Sequence, residues 1–256
     1  MSEVDFVRYP RVFFVFSFVL LWLMAQAGAS LRRRRPLKDG EGDDFGIVQT
    51  ATLTLLGLII GFSFSMAVSR YDQRKNDEEA EANAIGTEYV RADLLPSADG
   101  TRVRTLLTDY LDQRVLFYTT RDEHQLEQIN ASTAQLEGKM WSAVHAPAVA
   151  QPTPVVALAV AGMNDVLNSQ GYTQAAWWNR IPAAAWVLMI TIAIVSNVLV
   201  GYGARAAKVN AGLLFVLPLV VSVAFLLIAD IDSPRRGFIE IVPRNLISLS
   251  KSLPKQ

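Results

Sequence analysis

Residues 47–68 read IVQTATLTLLGLIIGFSFSMAV, an apolar run without one charged side chain. A helix needs about 20 mostly apolar residues to cross the hydrocarbon core of a bilayer, and this run is long enough. From position 50 to position 95 nothing stronger than glycine interrupts the helical pattern, and Pro96 closes it. A single helix about 65 Å long is expected there at 1.5 Å per residue, reaching well past the membrane.

Three more stretches are long and apolar enough to span. Residues 12–31 are uncharged and rich in Phe, Leu and Val; residues 182–202 and 211–229 form a close pair whose link carries Arg205 and Lys208. The first resembles a signal peptide in position only. Its basic cluster follows the apolar run instead of preceding it, and no small-residue cleavage site stands before the charges, so it is expected to remain as an anchor. Residues 155–163 are too short to span and follow Thr153-Pro154, a helix start with Pro in the first turn. The expected fold is an all-α membrane protein with four transmembrane helices and a helical extramembrane insert between spans two and three. The segments are 1–68 (two spans and a basic link), 69–180 (insert), 181–230 (two spans) and 231–256 (tail).

The insert keeps helical periodicity. Val103, Leu106, Leu107, Tyr110 and Leu111 form one stripe, and Leu126, Ile129, Leu136, Met140 and Val144 form another. Gly100, Pro147, Pro152 and Pro154 are expected to punctuate it.

Composition narrows the function classes. The 256 residues carry 24 basic and 24 acidic side chains, so no net field points to nucleic acid. There is no Cys, and the two His, His124 and His145, sit in polar helical surroundings. A structural zinc site or a thiol nucleophile is therefore not expected. Walker, GxGxxG, HExxH and GxSxG signatures are absent, and neither an enzyme activity nor a cofactor is expected. The spans hold no ionisable group away from their ends, which argues against a proton- or ion-coupled pump. Their milder polar groups, Thr50, Thr52, Thr54, Ser63, Ser65, Thr191, Ser196 and Asn197, suit hydrogen bonding between helices.

Span two carries two surfaces. Gly57 and Gly61 form a GxxxG pair that lets another helix approach closely. On a different face Thr52, Leu55, Ile59, Phe62 and Met66 recur at steps of three and four. That stripe reads as a lipid-facing or packed surface, or as a hydrophobic constriction when several copies surround an axis. Past the membrane end lie Asp77, Glu78, Glu79 and Glu81. They read either as a solvated face pairing with Arg74 and Lys75, or as a carboxylate ring at a vestibule mouth. Asn83, Gly86 and Thr87 are unusual inside a helix and suggest close packing against a neighbour. Asp230 and Asp232 are expected to end the last span before Pro234, being too few for a metal cage.

Residues 55–96, LLGLIIGFSFSMAVSRYDQRKNDEEAEANAIGTEYVRADLLP, resemble the bestrophin-like family of bacterial membrane proteins. The likeness rests on Gly61-Phe62 with Ser65-Met66-Ala67, Ser69-Arg70-Tyr71-Asp72, Glu81 to Thr87 with Asn83 and Gly86, and Arg91-Ala92-Asp93-Leu94-Leu95-Pro96. The stretch from Asp230 through Asp232, Ser233 and Pro234 to Ile239 fits the same family. The stretch from Gly61 to Lys75 is also similar to the one after the neck of bacterial bestrophins, which are pentameric anion channels. The resemblance implies a homo-oligomer, a pentamer on that pattern, passing small inorganic anions. Leu55 and Ile59, with Phe62 and Met66, would then form the neck. The acidic run that binds calcium in animal bestrophins is missing here.

Orientation is contested. Arg32, Arg33, Arg34, Arg35 and Lys38 place the short links in the cytoplasm and the insert outside. Arg8, Arg11, Arg70, Arg74, Lys75, Arg180, Arg235, Arg236 and Arg244 stand on the other side, and bestrophins keep their helical part cytoplasmic. A multi-pass protein of the bacterial inner membrane is expected. The alternative function is a non-conducting membrane sensor or scaffold whose insert binds a partner.

Overall fold

The structure, a computed structural model, describes residues 9–38, 40–204 and 212–254. Arg8, Arg205, Lys208 and Ala211 lie outside the described residues. Every regular element among those described is a helix: α1 (Pro10–Arg34), α2 (Glu41–Arg91), α3 (Ser97–Thr119), α4 (Glu123–Ala150), α5 (Pro154–Trp178), α6 (Ala183–Gly203), α7 (Leu213–Asp232) and α8 (Arg244–Ser252). Four helical stretches are long and apolar enough to cross a membrane. They are α1, α2, the α5–α6 stretch and α7, and α6 holds the third span expected at 182–202. The chain divides into two compact units, residues 1–70 with 180–239 and residues 71–179 with 240–256. The helix α2 contributes to both.

In the first unit α1 packs on α6 and α7. Pro10 starts α1 where the missing N–H costs nothing, and Arg32, Arg33 and Arg34 occupy its last turn, where cations complement the helix dipole. The crossing of α1 and α6 is very close. A Cβ on Gly28 would lie 2.1 Å from the Val198 carbonyl oxygen, and one on Gly201 would lie 1.9 Å from that of Ala25. Small residues permit such approach between helices in lipid, where dispersion contacts replace the hydrophobic drive. Phe13, Trp186 and Phe225 form an aromatic cluster across α1, α6 and α7, with centroids 5.2–6.2 Å apart.

The second unit is a helical bundle closed by α8. The stripes expected in the insert point inward: Val103, Leu107, Tyr110, Leu111, Ile129, Met140 and Val144 are buried in one core with Met163, Val166 and Trp177. Asp122 accepts from the Gln125 N–H and Thr153 from the Val156 N–H, satisfying amides that open α4 and α5. Two expected breaks differ. Pro147 lies inside α4, near its C-terminal end, and Gly100 lies in the first turn of α3. Proline breaks a helix by denying a bond to the carbonyl four residues back, and α4 continues only to Ala150 beyond it.

Candidate functional site

One face of α2 is buried from Leu56 to Glu88. Leu56, Ser63 and Ala67 are buried in the first unit, and Arg74, Glu78, Glu81, Ile85 and Glu88 in the second, with Ala92 buried just past the helix end. Their spacing of three, four and seven keeps them on one stripe. The stripe changes from apolar to charged as it leaves the span.

Turned away from that stripe, the neck candidates lie open. Phe62 is 64 % exposed, Leu55 45 % and Met66 41 %, and Ile59 is half-buried. Gly57 and Gly61 are exposed too, and a Cβ at either would meet no atom within 4 Å. Among the described residues, Gly28 and Gly201 bring two helix backbones into close crossing. Thr52 and Thr54 return their hydroxyls to the carbonyls of Val48 and Thr50, so their polarity is spent on their own helix. Beside the stripe an open, apolar groove of about 680 Å³ is lined by Gly46, Ile47, Thr50, Thr54, Leu55 and Leu58.

The buried charges replace the solvated face read from sequence. Arg74 donates to the carbonyls of Ala176 and Asn179 at 3.1 Å, where α5 ends. Glu78 accepts from Asn245 at 2.7 Å and from the Leu246 N–H at 2.9 Å, where α8 begins. A cation thus closes one helix C-terminus and an anion opens one N-terminus, each side chain matching the dipole it meets. Glu81 pairs with Arg114, both fully buried, and also accepts from Thr173 at 3.1 Å and from Tyr118 at 3.4 Å. Glu78 and Glu81 are therefore engaged inside their own chain and give no carboxylate ring. The Lys75 ammonium lies over the Tyr71 ring, 5.9 Å from its centroid. Sequence reasoning missed this network because a charge on a helix defaults to solvent, and its partners lie on α3, α5 and α8, at most 168 positions away.

Electrostatics follow burial. Desolvation raises the Tyr110 and Tyr118 hydroxyls, and the Glu81 carboxylate raises them further. Burial alone would lower Arg114, yet Glu81 together with the Tyr110 and Tyr118 hydroxyls outweighs it and raises the guanidinium. Glu88 is fully buried and, among the described residues, neither carboxylate oxygen has a hydrogen-bond partner. Burial pushes it up to about 8, against the pull of Arg91. Its Oε2 and the Arg91 guanidinium both press on α5 where Gly162 leaves room: a Cβ there would lie 2.1 and 2.6 Å from them.

The remaining candidates are scattered. Asn83, Gly86 and Arg91 line a surface groove of about 630 Å³ between α2 and α8, with Thr87, Asn245 and Ser248. Gly86 faces Leu249, 3.2 Å from where a Cβ would be, so the glycine does serve close packing. Asp72 is exposed, Asp93 is ion-paired with Arg104, and Arg91 lies 3.8 Å from Asp165. Asp230 accepts from the Phe238 and Ile239 N–H groups at 2.7 and 2.8 Å, folding the turn after α7. Asp232 accepts from the Ile181 N–H at 3.2 Å and lies 3.8 Å from Arg70. Both aspartates stand in the last turn of α7, where the helix was expected to end. Among the described residues no group of three His, Cys, Asp or Glu is placed to hold a metal ion.

A family profile described as a Bestrophin-like domain matches residues 11–246. No curated protein matches. Among solved structures, a point variant of a bacterial bestrophin homologue from Klebsiella pneumoniae aligns over 93 % of this chain and 97 % of its own, with TM-score 0.64 and 13 % identity. A second point variant of that homologue gives TM-score 0.63 at 13 % identity, covering 93 % and 99 %. A structure described as a membrane protein variant gives 0.67 at 14 % identity, covering 94 % and 99 %. At such identity the likeness establishes the fold.

Proposed function

The chain belongs to the bestrophin-like family, and from that premise we propose that it is a homo-oligomeric channel through which small inorganic anions pass down their gradient. The observation that carries the reading is the exposed stripe of α2. Leu55, Phe62 and Met66 stand open while Leu56, Ser63 and Ala67 on the same helix are buried. One such helix cannot enclose a pathway, so copies must surround an axis, five on the bestrophin pattern. Leu55, Ile59, Phe62 and Met66 then form a hydrophobic neck, of the kind that gates by losing its water. Gly57 and Gly61, unopposed within the chain, are available for the neighbouring copy. With Glu78 and Glu81 turned inward and paired, a carboxylate ring favouring cations loses two of its four members. The bacterial inner membrane is the proposed location.

The test is chloride efflux from liposomes holding the purified protein, with a potassium ionophore setting the voltage. Efflux above empty liposomes supports the channel. Its absence from a folded, oligomeric preparation would move the assignment to a non-conducting sensor or scaffold whose helical insert binds a partner.

A further inference from the structure

The corner where α1 gives way to α2 concentrates cations that no ion pair neutralises among the described residues. Arg32, Arg33 and Arg34 form the last turn of α1, Arg35 follows, and Lys38 precedes α2. Arg33, Arg34, Arg35 and Lys38 are exposed and make no ion pair among the described residues. The nearby acids Glu41, Asp43 and Asp44 occupy the first turn of α2, where they suit the helix dipole, and Glu41 already accepts from the Lys38 N–H. In sequence, Arg205 and Lys208 follow directly on the end of α6.

Arg32 differs from its neighbours. It is half-buried, with its guanidinium 5.5 Å from the Tyr202 ring centroid. Tyr202 is itself fixed: its hydroxyl donates to the Arg35 carbonyl at 2.8 Å, and its ring lies 5.4 Å from that of Phe45. In this clamp of α1, α6 and α2 the Arg32 Nη1 is buried and has no acceptor among the described residues. A buried donor left without an acceptor costs about 1–3 kcal/mol, more when charged, so an arriving acceptor toward which the half-buried guanidinium can turn is favoured. An arginine fork matches a phosphate group, and basic residues beside a transmembrane helix meet the headgroup layer.

We propose that this corner binds the headgroup of an anionic phospholipid. Arg32 donates to the phosphate from its Tyr202 platform, and Arg33, Arg34, Arg35 and Lys38 supply the surrounding positive field. The site needs no particular subunit count and stands apart from the neck.

The test uses the full-length protein in neutral detergent, titrated with phosphatidylglycerol or phosphatidylcholine and followed by thermal unfolding and by lipid retained in native mass spectrometry. Phosphatidylglycerol should raise the midpoint and stay bound, and phosphatidylcholine should do neither. Arg32→Gln should weaken phosphatidylglycerol binding about tenfold, the scale of one charge-assisted hydrogen bond. The triple variant Arg33→Gln, Arg34→Gln, Arg35→Gln changes only exposed side chains, so it keeps the fold and should lose most of the salt dependence. Equal response to the two lipids, or full binding retained by the triple variant, overturns the proposal. A matching midpoint shift from millimolar inorganic phosphate alone would overturn it too, assigning the site to free phosphate.

Discussion

The carboxylate of Glu81 on α2 and the guanidinium of Arg114 on α3 pair at a point with 0 % exposure of either side chain. The Arg114 guanidinium also lies 4.4 Å from the Phe117 ring centroid, so an aromatic ring backs the pair on one side. Two charges in such a place offset each other's desolvation only while both remain.

Removing one partner should therefore cost far more than removing both. Glu81→Ala is expected to destabilise the second unit by about 3–5 kcal/mol, leaving a buried cation alone. Glu81→Leu with Arg114→Met is expected to recover most of that loss. Denaturant titration of the detergent-solubilised protein checks the order, and a double variant as unstable as the single would contradict it.

Glu88 sets a pH dependence of known sign. Its folded-state value of about 8 lies above the ordinary 4.5, so between those values the folded protein holds a proton that the unfolded chain has released. Stability should then fall as pH rises from about 4.5 to about 8. Asp77 and Glu137 are also raised by burial and add to the same slope. Glu88→Gln should be more stable than the parent at pH 8 and show a shallower slope, not a flat one. Thermal midpoints from pH 5 to pH 9 measure it; parallel curves for the two proteins would refute the assignment.

The two small-residue surfaces should fail differently. Gly201→Val drives a side chain into the backbone at Ala25, and overpacking of this kind costs about 1–3 kcal/mol or more. A Cβ at Gly57 meets no atom within 4 Å among the described residues, so Gly57→Val should leave the fold intact while altering the assembled mass. Light scattering beside a thermal scan separates the outcomes. Loss of fold in the Gly57 variant would place a partner for that face inside the chain.

Sequence pattern was enough for the four spans, the bundle of the insert and the inward stripes at Val103, Leu107 and Met140. Apolar periodicity is a local property that needs no knowledge of partners. The family resemblance reached further, because 55–96 holds several unusual residues at fixed spacing. What stayed hidden was pairing. The burial of Arg74, Glu78 and Glu81 depends on partners brought in from α3, α5 and α8, and the crossing at Gly28 and Gly201 joins positions 173 apart with no shared motif. The visible GxxxG at Gly57 and Gly61 drew the expectation of close packing, while the crossing realised within the chain lies elsewhere.

The exposed stripe of α2 is proposed to line the conducting pathway. Unitary chloride conductance in planar bilayers, compared for the parent, Ile59→Ala and Phe62→Ala, tests it most directly. Widening an apolar neck should raise conductance in both variants at unchanged oligomeric mass. Channels of parental conductance in both would contradict the neck and take the pathway away from this face of α2.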